Sequence, residues 1–565
     1  MKKILIGLSF ALFGLQSCDV LDIDPQSFYS DNVAYASIEN MDFYVKDLYQ
    51  AFREYSDIEK SVDVYDDGFS DLLKCSWANI APGNQINKFF YYTQGITADS
   101  DFRNKWNQAY WHIRELNEFL VDMHNGKASG LDQNQVAVRI AEARVIRAFV
   151  YQELVKRYGG VVLRVSEEKV DDHTDRAKAR SSEADCWDFI IKELGNAAQV
   201  LPEKWEDKDG INQVGRITKG AAYGLQARAA LYAKRWQDAI NACDEVVKLE
   251  QKGYHALLGM NQYNDIFTIP NNKELLLTVN YEKMTLQHQF NFNCCPPYDY
   301  KAAGANKDFC GAAMTPTEEY ASQFDIKVNG NWQSFTWDNL GQYANGPWAD
   351  RDPRFYASIL YNGAPWIQDR ELQVYVDGHD GFFEFKNDPA DDYKRCTSTG
   401  YYIRKFVKKD DKINFVDVHS DQFWIEMRLA EVYLIRSEAY ARLNKWTEAY
   451  LDLNKIRTRV GMPTLPQQNS WDGYLDNLEK ERICELGMEG HRFFDLVRWG
   501  KAVKTLDGKR LHGVKITKMP TGAFEYKLVE CDTQDRVFAE KYTISPIPTS
   551  ELVANTLCEQ SDLWK

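Results

Sequence analysis

Paired helical segments joined by tight turns constrain the fold of this chain more than any other feature. In "KGAAYGLQARAALYAK" (Lys219–Lys234), small and apolar residues recur at helical spacing. A turn at Arg235 follows, and a second helical pattern runs through Leu249. The stretch "RLAEVYLIRSEAYARLNKWTEAYLDLNKIRTRVGMP" shows a related pattern nearer the C-terminus. We therefore predict at least two helix pairs.

Small and aromatic residues occupy comparable places in the two units. Small residues let paired helices approach, and aromatic residues fill the gaps between neighbouring pairs. This pattern is typical of the tetratricopeptide class, in which no single pair buries its own apolar face. The alignment implies that the second turn is two residues longer than the first, and it matches Tyr232, Trp236 and Ala239 with Tyr440, Trp446 and Ala449.

The remaining periodicity predicts a mainly α, tetratricopeptide-like helix-pair scaffold. Two more helical patterns are "KWNQAYWHIRELNEFLVDM" and "QVAVRIAEARVIRAFVYQELVKRYGG", and Gly159-Gly160 predicts the end of the second helix. From about 250 to 425 the sequence becomes rich in glycine, proline, asparagine and aromatic residues, with short strand-like runs such as "ELLLTVNY" and "ELQVYV". We predict one domain over 18–565, with its scaffold at about 30–250 and 425–505, a loop-rich insertion with a few short strands between them, and a closing segment at 506–565.

The N-terminal residues resemble a lipoprotein export signal. Lys2 and Lys3 precede an uncharged run of 12 residues, which is shorter than the roughly 20 apolar residues of a membrane-spanning helix. The next residues, "LQSC", are similar to the lipobox of bacterial lipoproteins, in which a peptidase cuts before the cysteine. We expect residues 1–17 to be a signal peptide and Cys18 to carry the lipid anchor.

Charge and cysteine spacing argue against several classes of protein. The formal net charge is −15, which disfavours nucleic acid as a partner because phosphate binding relies on clustered lysine and arginine. None of the 11 cysteines forms a C-x-x-C pair, so neither a zinc ribbon nor a thioredoxin-type site is indicated. We expect most cysteines to be free, buried and small apolar residues.

The stretch "ERICELGMEGHRFFDLVRWG" (Glu481–Gly500) concentrates acids and bases and invites a catalytic interpretation. Gly487 and Gly490 indicate close approach to a neighbouring element. Residues spaced i,i+3 can pair on a helix surface, which here gives the pairs Glu489–Arg492 and Asp495–Arg498. We therefore interpret the stretch as structural and not as an active site.

Several segments, in order, resemble the SusD/RagB family of outer-membrane nutrient-binding lipoproteins. Glu481–Gly500 is similar to the most recognisable stretch of that family. The start "CDVLDIDPQ", "ARVIRAFVYQELVKRYGGVVL", "GRITKGAAYGLQARAALYAKRW", "DRDPRFYASIL" and the close "SPIPTSELVANTLCEQSDLW" resemble further family segments. The resemblance runs from Cys18 to Trp564, although "CEQSDLW" departs from the usual Asn-Pro-Gly ending.

The resemblance implies a protein at the cell surface that binds oligosaccharides. Members of the family pass their ligand to a TonB-dependent, SusC-like outer-membrane transporter, without catalysis and without an organic cofactor. Their ligand surface combines a loop after the first helices with loops of the irregular insertion. By location and residue type, we select as candidates Trp77, Asn79, Asn84, Gln85, Tyr298, Tyr300, Trp332, Trp337 and Trp348. Aromatic rings stack on the apolar faces of sugars, and neighbouring polar side chains fix their orientation.

Motifs that carry chemistry are missing from the sequence. It contains no H-E-x-x-H, G-x-S-x-G or G-x-G-x-x-G, and in "GINQVGRIT" Arg216-Ile217 replaces the Lys-Ser/Thr of a phosphate-binding loop. "DVYDDG" (Asp63–Gly68) faintly resembles a calcium loop, but Tyr65 stands where an oxygen ligand is needed. A structural calcium ion is the one metal that the sequence leaves open.

Three other functions stay open at this point. The same fold and partner could serve peptides, since some family members take them and a basic peptide suits an acidic chain. A surface glycoside hydrolase would use paired carboxylates, whose separation is a three-dimensional property. A purely structural surface protein would have neither a soluble ligand nor a transporter partner.

Overall fold

The computed structural model describes residues 31–59, 65–76, 85–91, 96–100, 103–165, 177–206, 213–298, 311–382, 396–408 and 420–565. The predicted signal peptide and Cys18 lie outside these residues. Within the described ranges, no helix is both long enough and apolar enough to cross a membrane.

Long helices form the scaffold on both sides of the insertion. The described part of the chain has nine helices of 11 residues or more: α1 (Ile38–Leu48), α2 (Trp106–His124), α3 (Gln133–Tyr158), α4 (Glu183–Val200), α5 (Lys219–Tyr232), α6 (Trp236–Gln251), α7 (Leu429–Arg442), α8 (Trp446–Arg459) and α9 (Trp471–Leu486). Along the chain α3 packs on α4, α4 on α5, and α5 on α6, while α6 contacts α7 across the insertion. The predicted stack of helix pairs is confirmed.

Local sequence signals set several helix ends. The Asp132 carboxylate accepts the backbone N–H groups of Asn134 and Gln135 at the start of α3, which satisfies donors that a helix start leaves unpaired. At the other end, Gly159 has φ +70°, a conformation that glycine adopts without strain. A Cβ atom on Gly160 would lie 2.3 Å from the Ser181 carbonyl oxygen. The predicted stop at Gly159-Gly160 is confirmed.

The turns of the two helix pairs are equal in length, so the predicted difference of two residues is wrong. Three residues separate α5 from α6, and three separate α7 from α8. Lys234 and Asn444 occupy the same left-handed position, with φ 60° and 58°. The structural counterpart of Tyr440 is Ala230, since their carbonyl groups accept the N–H groups of Lys445 and Arg235. The sequence alignment matched Tyr232 with Tyr440, whereas the backbone hydrogen bonds of the two turns match Ala230 with Tyr440.

Short helices connect the longer elements. They are Asp31–Ala34, Gln50–Arg53, Gln85–Tyr91, Asp265–Thr268, Phe290–Cys294, Glu318–Ala321, Pro353–Ser358, Arg492–Arg498, Ala502–Leu506 and Thr549–Ala554. Short 3₁₀ segments are Asp66–Phe69, Met260–Gln262, Trp337–Gln342, Ile367–Asp369, Glu540–Thr543 and Asp562–Trp564, and Trp337–Gln342 is kinked at Asn339.

Strands in the described residues pair two by two, always antiparallel. The pairs are β1 (Leu73–Cys75) with β3 (Met314–Pro316), β2 (Leu275–Val279) with β8 (Trp424–Arg428), β4 (Ile326–Val328) with β5 (Asn331–Gln333), β6 (Ile359–Leu360) with β7 (Tyr402–Ile403), and β9 (His512–Lys518) with β10 (Phe524–Glu530). The run "ELLLTVNY" forms β2 as predicted. "ELQVYV" makes only an isolated bridge at Glu371, so that strand prediction is wrong.

Two of these strand pairs attach the insertion to the scaffold. β2 and β8 lie near its two ends, and Leu275 pairs with Arg428. β1 follows the first helices and pairs with β3 inside the insertion, where Cys75 faces Met314. Eight of the nine described cysteines are buried, as predicted for most cysteines. The fold therefore brings the first predicted loop and the insertion together.

Candidate functional site

The acids and bases of Glu481–Gly500 belong to a network of buried ion pairs. We define the buried ion network by the carboxylates Glu274, Asp352, Glu481, Glu485 and Glu489 and the cations Arg354, Lys405, Arg428, Arg457 and Arg459. Five negative and five positive groups balance. A balanced and hydrogen-bonded cluster can be buried, whereas a single unpaired charge there would be costly.

Arg428 is the centre of this network. Its guanidinium binds Glu274 at 3.0 Å, Glu485 at 2.6 Å and Glu489 at 2.7 Å, and it is 1% exposed. Burial by itself would raise the pKa of Glu485, but Arg459, Arg428 and Arg354 outweigh it and hold that pKa well below its usual range. A carboxylate fixed in its charged form by three guanidinium groups is not available as a general acid or base.

The predicted partners inside Glu481–Gly500 are half right. Asp495 pairs with Arg498 at 2.8 Å, as predicted, although Asp495 is buried and Arg498 is only slightly exposed. The Glu489–Arg492 pair does not form, because Arg492 binds Asp71 and Glu479 instead. Tertiary partners outcompete the local i,i+3 pair here.

Gly487 makes room for neighbouring groups, whereas a Cβ atom on Gly490 would meet its nearest neighbour only at 3.5 Å, so the close approach predicted at Gly490 is not found. A Cβ atom on Gly487 would lie 2.6 Å from the Tyr320 hydroxyl oxygen and 2.6 Å from the Ile483 carbonyl oxygen. The predicted close approach at Gly487 is confirmed, and the whole stretch has a structural role in the described part of the chain.

Asp66 and Asp67, the described carboxylates of the faint calcium loop, are occupied by protein groups, and Asp63 lies outside the described residues. The Asp66 carboxylate binds Arg157 at 2.9 Å. The Asp67 carboxylate accepts the backbone N–H groups of Gly490 and Arg492. In the described ranges, no three histidine, cysteine, aspartate or glutamate side chains are grouped so that they could hold a metal ion.

The candidate ligand site starts at the junction between the first predicted loop and the insertion. Ser76, the last described residue before that loop, has its hydroxyl 2.7 Å from the Thr315 hydroxyl and 2.9 Å from the Ser398 hydroxyl. The candidates Trp77, Asn79, Asn84 and Tyr300 lie outside the described residues. Gln85 begins the helix Gln85–Tyr91.

The candidate Tyr298 lies in an arrangement that we call the Tyr298 platform, formed with His379, Arg370 and Asp380. The Tyr298 ring stacks on the His379 imidazole, with centroids 4.3 Å apart and an interplanar angle of 17°. The Arg370 guanidinium carbon lies 5.1 Å from the ring centroid. Tyr298 is half-buried and His379 is exposed, so this aromatic pair reaches solvent.

Asp380 fixes the cation of the Tyr298 platform. Its carboxylate is fully buried and binds Arg370 through two bonds of 2.6 and 3.0 Å. It also accepts the Gln373 backbone N–H at 2.9 Å. A bidentate pair with a buried carboxylate gives the guanidinium one orientation.

Hydrogen bonds connect the platform to the junction at Ser76. The Tyr402 hydroxyl donates to the Asp380 carbonyl oxygen and accepts the Thr397 backbone N–H. Ser398, the next residue, contacts Ser76. A continuous set of contacts thus joins the start of the first predicted loop to Tyr298.

The contacts that define the Tyr298 platform do not involve the three tryptophan candidates. Trp332 is half-buried on β5, with the Lys327 ammonium 5.8 Å from its ring centroid. Trp337 and Trp348 pack together, with centroids 5.6 Å apart. We call their surroundings the aromatic cluster, which consists of Trp337, Trp348, Phe355, Tyr361, Tyr401 and Tyr526.

Trp348 is 7% exposed, and its ring faces are covered by the aromatic cluster. Its packing therefore favours a supporting role, although a ligand contact by Trp332, Trp337 or Trp348 stays a prediction. Beneath the cluster, Glu318 accepts a hydrogen bond of 2.5 Å from the Tyr401 hydroxyl. Burial raises the pKa of Glu318 to about 7, and the Tyr401 hydrogen bond lowers it only in part.

Sequence reasoning missed His379, Arg370 and Asp380. The only local signal is "DGHDG", whose alternating aspartate and glycine residues predict a turn. Nothing in the sequence places that turn against Tyr298, about 80 residues away along the chain. A histidine in a turn of the loop-rich insertion was the clue available.

Comparison with known proteins supports one family. The model of the SusD family matches residues 273–564, just over half of the chain. A second family model, described as starch-binding associating with outer membrane, matches residues 38–231. A SusD-like protein of Formosa agariphila is 24% identical over 577 residues, which cover 98% of this chain and 97% of that protein.

Solved structures agree with the fold. A SusD-like protein of Bacteroides fragilis aligns with a TM-score of 0.76 and 25% identity, covering 94% of this chain and 98% of that one. A protein of the same species, described as a SusD-like carbohydrate binding protein, aligns with a TM-score of 0.73 and 22% identity, covering 93% and 99%. The predicted mainly α fold with small strand pairs is confirmed.

Proposed function

Because this chain belongs to the SusD family, we propose that it captures a glycan at the outer membrane and presents it to a transporter without cleaving it. The observation that carries the proposal is the Tyr298 platform. An aromatic ring at the surface can stack on the apolar face of a sugar, and a guanidinium locked beside it can donate hydrogen bonds to sugar hydroxyls.

Two further observations support capture without catalysis. The dense carboxylates of Glu481–Gly500 are charge-paired and buried, so they are not placed to act on a ligand. A relative of the same fold is described as carbohydrate binding. The second family model links such proteins to the outer membrane.

Glycan capture is tested by calorimetry on residues 19–565 with a panel of neutral and acidic oligosaccharides and, in parallel, a peptide pool. We expect heat from one glycan class with no new product in the cell. Replacement of Tyr298 by alanine should weaken that binding about two- to tenfold, since an aromatic stack contributes about 0.5–1.5 kcal/mol. Phe43→Ala, which removes a 59% exposed ring from α1, is the matched control and should bind as the unchanged protein does.

Three outcomes would contradict the proposal. Cleavage products would show an enzyme, and heat from peptides alone would show a peptide-binding protein. If thermal melting shows that both proteins are folded, equal glycan affinity in Tyr298→Ala and the unchanged protein would mean that the Tyr298 platform is not part of the glycan site.

Anchoring and delivery need tests in cells. We propose that Cys18 carries the lipid and that the partner is a TonB-dependent, SusC-like transporter. Cys18→Ser should move the protein from the membrane fraction to the soluble fraction. Purification of the unchanged protein in mild detergent should recover one outer-membrane transporter, and recovery of none would contradict the partner.

A further inference from the structure

A cavity lies between the helical scaffold and the first part of the insertion, and its lining is separate from the Tyr298 platform. It has a volume of about 700 Å³ and opens between the segment 203–206, the start of α5 and strand β2. Sites for small ligands usually measure about 300–1,000 Å³. No residue of the Tyr298 platform, the aromatic cluster or the buried ion network lines it. Residues 207–212 lie outside the described ranges, and none of the contacts below involves them.

One wall of the cavity is a tryptophan held in a fixed orientation. The Trp205 indole N–H donates to the Ile217 carbonyl oxygen at 2.9 Å. The Arg216 guanidinium carbon lies 3.8 Å from the Trp205 ring centroid, and the Arg216 Nε atom is 3.0 Å from a Glu142 carboxylate oxygen. A ring fixed in this way loses little conformational entropy when a ligand binds.

A second aromatic side chain is exposed in the same cavity. Tyr254 is 39% exposed, and it follows Gly253, whose φ is +83°. Asn271 and Lys273 are exposed lining residues that carry hydrogen-bonding groups. The leucines of β2 form an apolar part of the wall, so the lining offers both apolar surface and polar groups.

Most charges of the lining are matched by opposite charges. The Lys252 ammonium lies 2.6 Å from the Glu203 carboxylate, and the Lys204 ammonium lies 3.4 Å from the Glu206 carboxylate. Arg216 is paired with Glu142. Lys273 is the remaining lining cation, and it is exposed, so solvent and salt screen its charge. The lining therefore gives only a weak electrostatic preference for an anion, and a neutral ligand fits it.

We propose that this cavity is a second saccharide site, which takes a neutral mono- or disaccharide unit against Trp205 and Tyr254. It goes beyond the proposed function, which uses the Tyr298 platform alone. Two sites on one chain would bind a long glycan more tightly than either site does, provided that the chain of sugars can reach both.

The test uses saturation-transfer NMR with maltose, cellobiose and laminaribiose as separate probes, and glucuronic acid as the charged comparison. The protein variants are Tyr298→Ala, Tyr254→Ala and Trp205→Ala, each checked for folding by thermal melting. We expect a neutral probe to keep its signal in Tyr298→Ala. Adding Tyr254→Ala to that variant should weaken its binding about two- to tenfold.

Tyr254→Ala keeps the test informative if Trp205→Ala does not fold, because Tyr254 is partly exposed and packs on no other aromatic ring among the described residues. Loss of all probe binding in Tyr298→Ala alone would overturn the second site and leave the proposed function intact. Absence of signal from all three neutral probes in the unchanged protein would also overturn the second site, as would a stronger signal from glucuronic acid than from any of them.

Discussion

The buried ion network and the Tyr298 platform both depend on arginine–carboxylate pairs, yet they use them differently. Arg428 is 1% exposed, and its carboxylate partners are buried with it. In the platform only Asp380 is fully buried, while Arg370 keeps 19% of its side chain exposed. The first arrangement closes a core and the second holds a cation at the surface beside an aromatic ring.

The difference shows where charge density misleads. The Glu481–Gly500 stretch carries many acids and bases, and the structure buries and pairs them. The Tyr298 platform has one arginine–carboxylate pair, and the Arg370 side chain in it stays partly exposed. Exposure of a paired group, rather than the number of charged residues, separates the site from the scaffold.

The largest expected effect is on the network. Arg428→Ala leaves three carboxylates without their shared cation, and breaking a buried pair costs about 3–5 kcal/mol of unfolding free energy. Chemical denaturation measures this. Arg428→Lys keeps the charge but loses the forked geometry. Its unfolding free energy should lie between that of the unchanged protein and that of Arg428→Ala, and it replaces the alanine variant in the test if that variant does not fold.

Lys248→Ala is the matched control, since it breaks the exposed Lys248–Glu245 pair on α6. It should leave the denaturation midpoint unchanged, because exposed pairs add little stability. A loss in Arg428→Ala as small as that of the control would contradict the network's structural role.

The second effect concerns pH and the aromatic cluster. The pKa of Glu318 is raised from an ordinary 4.5 to about 7 by burial, so the folded state keeps a proton that the unfolded state releases. Its stabilising contribution is full below about pH 4.5 and is lost as pH rises to 7, by about 1.4 kcal/mol for each pH unit.

Glu318→Gln removes this titration and can still accept the Tyr401 hydrogen bond. Its unfolding free energy should therefore fall less than that of the unchanged protein between pH 4.5 and 7. Thermal denaturation at half-unit steps measures both slopes, and Glu371→Gln, which changes an exposed carboxylate, is the control. Parallel slopes in all three proteins would rule out a proton on Glu318.

A smaller loss is expected at Gly487. A Cβ atom there meets the Tyr320 side chain and the Ile483 backbone at 2.6 Å, and overpacking of this kind costs about 1–3 kcal/mol. Gly487→Ala should lower the denaturation midpoint, while Gly130→Ala, which meets no atom within 4 Å, should not. Equal denaturation midpoints in Gly487→Ala and Gly130→Ala would mean that the close approach at Gly487 does not contribute to stability.

The smallest expected effect is a loss of glycan affinity when Arg370 of the Tyr298 platform is changed. Arg370→Lys keeps the positive charge and loses the bidentate pair with Asp380, so glycan affinity should fall by about two- to tenfold, the worth of one hydrogen bond. Calorimetry measures the affinity. Arg510→Lys, at an ion pair next to β9, is the control. An affinity loss of the same size in that variant would mean that the loss in Arg370→Lys does not come from the Tyr298 platform.

Sequence patterns predicted the elements better than their partners. Helical periodicity and Gly159 located α3 and its end, because these signals are local. The partner of Arg492 proved to be Asp71, more than 400 residues away, and no spacing rule encodes that contact. Trp348 resembles an exposed loop tryptophan in sequence, and only tertiary packing buries it.

Hydrogen–deuterium exchange with and without the bound glycan tests the central comparison most directly. Residues 366–381 contain three members of the Tyr298 platform, and residues 481–500 contain part of the buried ion network. We expect added protection on ligand binding in 366–381 and in the segment that includes Tyr298, with exchange in 481–500 unchanged. Protection centred on 481–500, with none around Tyr298, would contradict this expectation.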